Sequence, residues 1–213
     1  MNENSLLIPF ISGIKADTPM EAISGMLDRR EKQLIAIAPW PQYDSSPKVQ
    51  FAIAHTNFAI LLKYYVEEAE TLARYTQPNE PVYRDSAVEF FIAFDDEGYY
   101  NFEFNSLGTC LGGYGHGRPP RSAQPAALLK TIRSLPGKQT GDNSLSQWTL
   151  TLIIPVSLFS FQPVTSLHGK KCRVNFYKCG DDLKKPQYLC WHKIDWPEPN
   201  FHLPQFFGEA EFL

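Results

Sequence analysis

The sequence predicts an all-β protein: a single antiparallel β-sandwich of immunoglobulin-like or jelly-roll type with one short N-terminal helix. Three observations point there. Short runs rich in β-branched and aromatic residues recur along the chain, with Gly, Pro, Asn or Asp between them. Several of these runs alternate apolar and polar positions, the period of a half-buried strand. Helix signals are few, and neither an internal repeat nor a linker interrupts residues 1–213, which read as one domain of seven to nine strands.

Taken in order, residues 5–14 (SLLIPFISGI) read as a first strand broken by Pro9. Thr18, Pro19 and Glu21 form a helix start, with Thr18 as cap and Glu21 closing a capping box; the helix runs to about Arg30. Residues 33–38 (QLIAIA) form a short strand stopped by Pro39 and Pro41. Val49, Phe51, Ile53 and His55 share one face of the next strand, and Phe58–Glu67 makes a long one. The segment 68–84 is polar and irregular.

A β-hairpin follows. Residues 87–94 carry no Gly or Pro, Asp95, Asp96 and Gly98 mark a turn, and residues 99–105 alternate. Pairing Phe94 with Tyr100 sets the aromatic rows of both strands on one face. The other face then carries Glu89 opposite Asn105, Phe91 opposite Glu103 and Ala93 opposite Asn101. A one-residue slip would bury these polar groups unsatisfied, at a cost of several kcal/mol.

Beyond it, the Gly-rich stretch 107–117 reads as a wide loop. It fits neither a dinucleotide fingerprint nor a P-loop. Residues 125–133 allow one helical turn, and 136–147 read as an exposed connection. Trp148–Pro155 and Cys172–Lys178 are strands, the latter with Arg173, Asn175 and Tyr177 as polar alternates. The Trp-, Pro- and His-rich C-terminal region is loop-like and closes on a strand at 209–212.

Composition bounds the function. Hydrophobic residues make up 43 % of the chain and net charge is −3 without a basic run, which removes the footprint of a nucleic-acid binder. No apolar run is long enough for a transmembrane helix, so no membrane partner is expected. The N-terminus lacks the basic region and apolar core of a signal peptide. The expected location is the cytoplasm, or the periplasm or exterior if a leader was removed. Cys110, Cys172, Cys179 and Cys190 form neither a disulfide framework nor a zinc spacing, and read as buried thiols; no metal site is assigned.

Three chemistries compete. Asp85 and Glu89 lie about 13 Å apart along one strand, whereas glycosidase carboxylates sit roughly 5–5.5 or 6.5–9.5 Å apart. In the chosen register Glu103 faces Phe91 rather than Glu89. No nucleophile elbow or triad signature occurs. The third chemistry is a binding face. Sugars present hydroxyls and apolar C–H faces, which planar hydrogen-bonding groups and aromatic plates hold. Glu89, Glu103, Asn105, Asn175 and Tyr177 supply the first kind of group; Tyr83, Trp191, Trp196 and Phe201 lie in adjacent loops and supply the second.

The string YRDSAVEFFI from Tyr83 resembles an element of family 9 carbohydrate-binding modules, and YYNFEFNSLG from Tyr99 resembles that family's next strand. WTLTLIIP from Trp148, RVNFYK from Arg173 and FHLPQFFG from Phe201 follow in the family's order. The likeness covers the chain from about residue 45 onward and is strongest to stand-alone "family 9-like" proteins. It implies a β-sandwich that holds a mono- or oligosaccharide between two aromatic rings, in the places of Tyr83 and Phe201, with Glu89 reading hydroxyls and Tyr177 at an amide-bearing position. Departures are the smaller rings, in place of tryptophans, and Glu103 in place of a basic residue. The family admits calcium, but no acidic cluster here assigns it, and no other cofactor is implied. The expected function is therefore non-catalytic sugar binding through Tyr83, Arg84, Glu89, Glu103, Asn105, Asn175, Tyr177, Trp191 and Phe201, with Arg84, Arg118 and Arg121 able to meet an acidic sugar. Alternatives are a glycan hydrolase using Glu89 and an interaction domain with a decayed sugar site.

Overall fold

The computed structural model describes residues 5–43, 47–118, 120–140, 145–162 and 164–213. Its strands are β1 (Leu6–Ile8), β2 (Gln33–Leu34), β3 (Lys48–Thr56), β4 (Ala59–Glu68), β5 (Ala87–Ala93), β6 (Tyr99–Asn105), β7 (Cys110–Gly115), β8 (Ser122–Ala123), β9 (Arg133–Thr140), β10 (Ser146–Pro155), β11 (Lys171–Gly180), β12 (Gln187–Cys190) and β13 (Gly208–Phe212). Helix α1 (Met20–Asp28) precedes β2, and the single turn α2 (Ala126–Leu129) precedes β9. They build a two-sheet sandwich. The larger sheet has the order β1-β13-β11-β5-β6-β7-β8, with β12 alongside the second half of β11; the smaller is β2-β3-β4-β10-β9. All named strand pairs are antiparallel except β1 with β13.

The core is made by the period-2 alternation of the long strands. Val88, Phe90 and Ile92 of β5, Tyr100, Phe102 and Phe104 of β6, and Val174 and Phe176 of β11 face Phe51, Leu62, Tyr64, Trp148 and Leu152 of the opposite sheet. Phe51 stacks on Phe176 with ring centroids 3.8 Å apart, joining the layers. On the outside of the smaller sheet α1 lays Ile23 and Leu27 over Ala52, Ala54, Leu61 and Ile153. The small Ala52 and Ala54 let the helix approach closely. Lys63, on that same face, reaches Asp28 Oδ1 at 2.6 Å.

Several sequence expectations are corrected. The hairpin pairs Ile92 with Tyr100, Phe91 with Asn101, Glu89 with Glu103 and Ala87 with Asn105. The shift is two residues, so every side chain keeps its face, and pattern matching has no power between registers of equal parity. Phe94 packs edge-on against Phe159 at 4.9 Å instead of pairing across the hairpin. The Gly-rich stretch is largely strand β7, in full register with β6. Glycines erase the alternation signal without impairing the backbone ladder. Of the connection expected over 136–147, the first part is edge strand β9 and the last belongs to β10, while residues 141–144 lie outside the described ones. Pro136 is tolerated because β9 is an edge. Thr18 does not cap α1: its Oγ1 accepts from Lys15 N, Pro19 occupies the cap, and no capping box forms. The first strand is confined to Leu6–Ile8, and the expected strand 33–38 to Gln33–Leu34 plus a bridge between Ile37 and Cys190.

At the end of the core one ion pair ties the sheets together. Lys178 Nζ of β11 lies 3.0 Å from Glu68 Oε2 of β4, with both side chains fully buried. Trp148 Nε1 donates to Glu68 Oε1 at 2.6 Å, and Lys178 donates to Cys179 O at 2.8 Å. Removing one partner of such a pair strands the other charge. Lys178→Met is expected to lower stability by roughly 3–5 kcal/mol. The double variant Lys178→Met/Glu68→Gln recovers a large part of that loss in a chemical-denaturation double-mutant cycle.

Candidate functional site

The outer face of the larger sheet carries the polar alternates of β5, β6 and β11. About half of it is roofed. Phe201, Leu203 and Phe207 from the C-terminal segment, with Trp40 from the loop after β2, pack on Phe91, Ala93, Tyr99 and Tyr177. Trp40 Nε1 donates to Trp196 O at 2.8 Å and pins the two loops together. The uncovered remainder is a cavity of about 740 Å³.

Its floor is Glu89 of β5, Asn101 and Glu103 of β6, Leu111 and Gly113 of β7, and Cys179 of β11. One wall is Tyr83, Asp181 and Tyr188; the opposite side is Arg118, Arg121, Asn200, Phe201 and His202. Tyr83 sits in a 3₁₀ turn, Val82–Arg84, directly before β5. Phe201 is backed by Tyr177, stacked at 4.2 Å, whose hydroxyl donates to Phe201 O at 3.2 Å.

Glu89 and Glu103 dominate the electrostatics. They are directly opposite across the β5–β6 ladder, which sets Cβ atoms roughly 4.5–5.5 Å apart. Their relative exposures are only 3 % and 4 %. Glu89 Oε1 accepts from the Cys179 thiol at 2.9 Å, and Glu103 Oε1 accepts from Asn101 Nδ2 at 2.9 Å. Burial first, then the facing Glu103, pushes Glu89 well above the usual carboxylate range. Burial raises Glu103 to about 7, opposed by Asn101 and by the Arg121 charge. The pair therefore retains a proton at near-neutral pH.

The arginines are held differently. Arg121 Nε donates to Asn101 Oδ1 at 3.0 Å, and its other nitrogens donate to Gly117 O and Tyr99 O. Its guanidinium lies 4.2 Å from the Tyr99 ring centroid. Arg118 donates to Asn200 Oδ1 and Pro199 O. Burial, with Arg121 and Arg118 nearby, lowers His202 to about 3, so its ring is neutral; its Nδ1 pairs with the Tyr99 hydroxyl at 2.8 Å.

Of the nine residues chosen from sequence, Tyr83, Glu89, Glu103 and Phe201 line this one cavity. The others lie elsewhere. Arg84 is exposed beyond the wall. Asn105 is buried, donating to Tyr75 O and Asp85 Oδ2 and so holding down the 68–84 segment. Asn175 accepts from His192 N and donates to His192 O, fastening the C-terminal segment to β11. Tyr177 lies beneath Phe201, and Trp191 packs on Phe51 and Phe176 at the core edge. Asn101 and Cys179 share the alternation of chosen neighbours, so parity was the signal that could have added them. Asp181 and His202 come from turns and loops that carry no such signal, and Tyr188 from β12, a strand too short for its pattern to stand out. Among the described residues no group of three or more metal-ligating side chains occurs, and no helix is long and apolar enough to cross a membrane.

A two-sheet sandwich with an aromatic- and carboxylate-lined recess on one outer face is the architecture of a ligand-binding module. The model of the family described as "Carbohydrate-binding family 9" matches residues 21–212, and the chain belongs to that family. A candidate carbohydrate-binding protein from Bacteroides uniformis is similar over 99 % of both chains, with 35 % identity and a TM-score of 0.90. A family 9 carbohydrate-binding module from Caldicellulosiruptor kristjanssonii, solved with glucose, shares the fold at TM-score 0.59 and 12 % identity, over 98 % of this chain and 95 % of that one. Its cellotriose complex gives 0.57 and 13 %, over 98 % and 93 %. Among curated proteins none matches the chain.

The raised carboxyls have a consequence for stability. A folded-state value above the unfolded one means the fold binds more protons, so stability is fully present below the unfolded value of 4.5 and falls as pH rises toward about 7. Glu103→Gln should flatten this decline, as measured by thermal unfolding midpoints across that window. An unchanged slope would show that the pair is not the source.

Proposed function

We propose that the chain is a non-catalytic sugar-binding module whose ligand occupies the cavity over Glu89, Asn101 and Glu103. The observation that carries this reading is the common cavity: two aromatic rings, Tyr83 and Phe201, line it together with two buried carboxyl groups and an amide. Rings offer faces to sugar C–H groups, and planar carboxyl and amide groups accept or donate to hydroxyls in fixed directions. Its volume falls within the range of small-molecule sites. Family membership supports the ligand class, and the Caldicellulosiruptor module's glucose and cellotriose are the first ligands to try.

Phe201 is rigid because Tyr177 backs it, whereas Tyr83 is half-buried on a short turn. This supports reading Phe201 as a fixed plate and Tyr83 as an adjustable one. Tyr83→Ala and Phe201→Ala should each weaken sugar binding about tenfold, ~1.4 kcal/mol, read by isothermal titration against a panel of mono- and oligosaccharides. Heat with no sugar in the panel would defeat the reading.

One observation favours a second reading. The direct Glu89–Glu103 pairing sets two carboxyl-bearing side chains side by side on adjacent strands, and burial raises one of them to about 7; a retaining glycosidase likewise uses two neighbouring carboxyls. Against it, both rise from the same sheet beneath the ligand, and nothing in the arrangement sets them on opposite faces of a sugar ring. Turnover of a chromogenic glycoside that Glu89→Gln abolishes would decide for the enzyme.

A further inference from the structure

The floor of the cavity has a charge problem that a neutral sugar leaves unsolved. Glu89 and Glu103 form no ion pair with any described residue, although both are more than nine-tenths buried. Each receives one hydrogen bond on Oε1, from a weakly donating thiol in one case and an amide in the other. Among the described residues, nothing donates to the second oxygen of either, and both side chains line the cavity.

The neighbouring charges do not supply the missing partner. Lys178, the next residue to Cys179, is turned into the core against Glu68. Arg121 makes no hydrogen bond to Glu103 and acts on it through space, while each of its three nitrogens donates once, to Asn101, Gly117 or Tyr99. Asp181, on the wall, adds a third carboxyl, bonded to Tyr188, and its charge disfavours ionisation of both glutamates. Tyr64, from the opposite sheet, donates only to Glu89 O. Tyr99, Tyr177 and the Cys110 thiol, the other titratable groups acting on the pair, are all raised chiefly by burial. What the floor lacks is a positive charge carrying several N–H donors.

We infer that the preferred ligand is an amino sugar, whose ammonium group lies between Glu89 and Glu103 while its ring meets Tyr83 or Phe201. The inference rests on the sugar-binding reading above. An ammonium offers three donors on one compact centre, enough to reach both unpartnered oxygens. An acidic sugar would be drawn instead to Arg118 and Arg121 on the other side of the cavity, which keep N–H donors beyond those bonded to Asn200, Pro199, Asn101, Gly117 and Tyr99; glucuronate binding tighter than glucosamine would overturn the inference. Binding replaces the proton shared by the carboxyls with the ligand's own charge, so that proton leaves to solvent.

The test is titration calorimetry of the intact chain with glucosamine, N-acetylglucosamine and glucose, in buffers of different ionisation enthalpy. Near pH 7, glucosamine should bind roughly tenfold or more tighter than either neutral sugar, the scale of a hydrogen bond to a charged group. It should also release up to about one proton per molecule. Near pH 5, where both carboxyls are protonated, the preference should shrink. Glu103→Gln should bring the glucosamine-to-glucose affinity ratio toward one, and the wild-type proton release decides the matter even if that variant does not fold. Equal affinities with no proton release would overturn the inference while leaving sugar binding intact. Silence from all three sugars and from the wider panel would instead defeat the sugar-binding reading itself.

Discussion

The register of one strand pair governs what this molecule can do. Because Glu89 of β5 stands opposite Glu103 of β6, two carboxyl groups meet on the outer face of a sheet whose inner face is apolar on both of these strands. A cross-strand like-charge pair is unfavourable in a β-ladder, and burial to 3 % and 4 % exposure worsens it. The fold tolerates the pair by leaving it partly protonated and by giving each member one donor, Cys179 or Asn101. Below it, the Tyr64 hydroxyl of the other sheet donates to Glu89 O at 2.9 Å, so β5 is fixed from both sides.

The recess exists because the roof stops short. The C-terminal segment is long, rich in proline and aromatics, and has little ladder structure of its own. Phe201, Leu203 and Phe207 anchor it to the outer face of β5, β6 and β11, and Asn175 clamps its start through His192. Phe201 ends up at the boundary, with Tyr177 and Trp40 against it and the cavity beside it. Roof and wall are thus one continuous structure. Polar alternates of β11 that read as ligand-binding candidates, Asn175 and Tyr177, instead hold this segment in place.

The sandwich was legible because its strands are short runs of β-branched and aromatic residues, several of them alternating, and Trp148–Pro155, Cys172–Lys178 and the hairpin all keep the faces their patterns imply. The family was legible from motif order. Two things were not. Registers differing by two residues preserve every face, so no pattern separates Glu89 opposite Asn105 from Glu89 opposite Glu103; the width of the turn does, where Asp95 Oδ1 accepts from Glu97 N and Phe94 leaves the ladder for Phe159. Nor does a strand made of CLGGYG announce itself, since the alternation that reveals a strand resides in side chains that glycine lacks. Asp181 and His202 were hidden for another reason, reaching the cavity from irregular segments without periodicity, and Tyr188 sits in the four-residue strand β12.

Those glycines connect the hidden strand to the chemistry. A Cβ on Gly113 would lie 2.9 Å from Asn101 Oδ1 and 3.6 Å from Arg121 Nε, and one on Gly115 would meet Arg121 Cγ and Nη1 at 3.4 Å. Only a strand without side chains at positions 113 and 115 lets Arg121 lie across it and donate to Asn101 Oδ1. That bond orients the Asn101 amide so that its Nδ2 points at Glu103. Arg121 thus acts on the carboxyl pair at one remove, fixing a donor toward it without neutralising it by direct contact. The glycine-rich stretch, a wide loop when read in one dimension, is in three the strand on which the floor of the cavity is aligned.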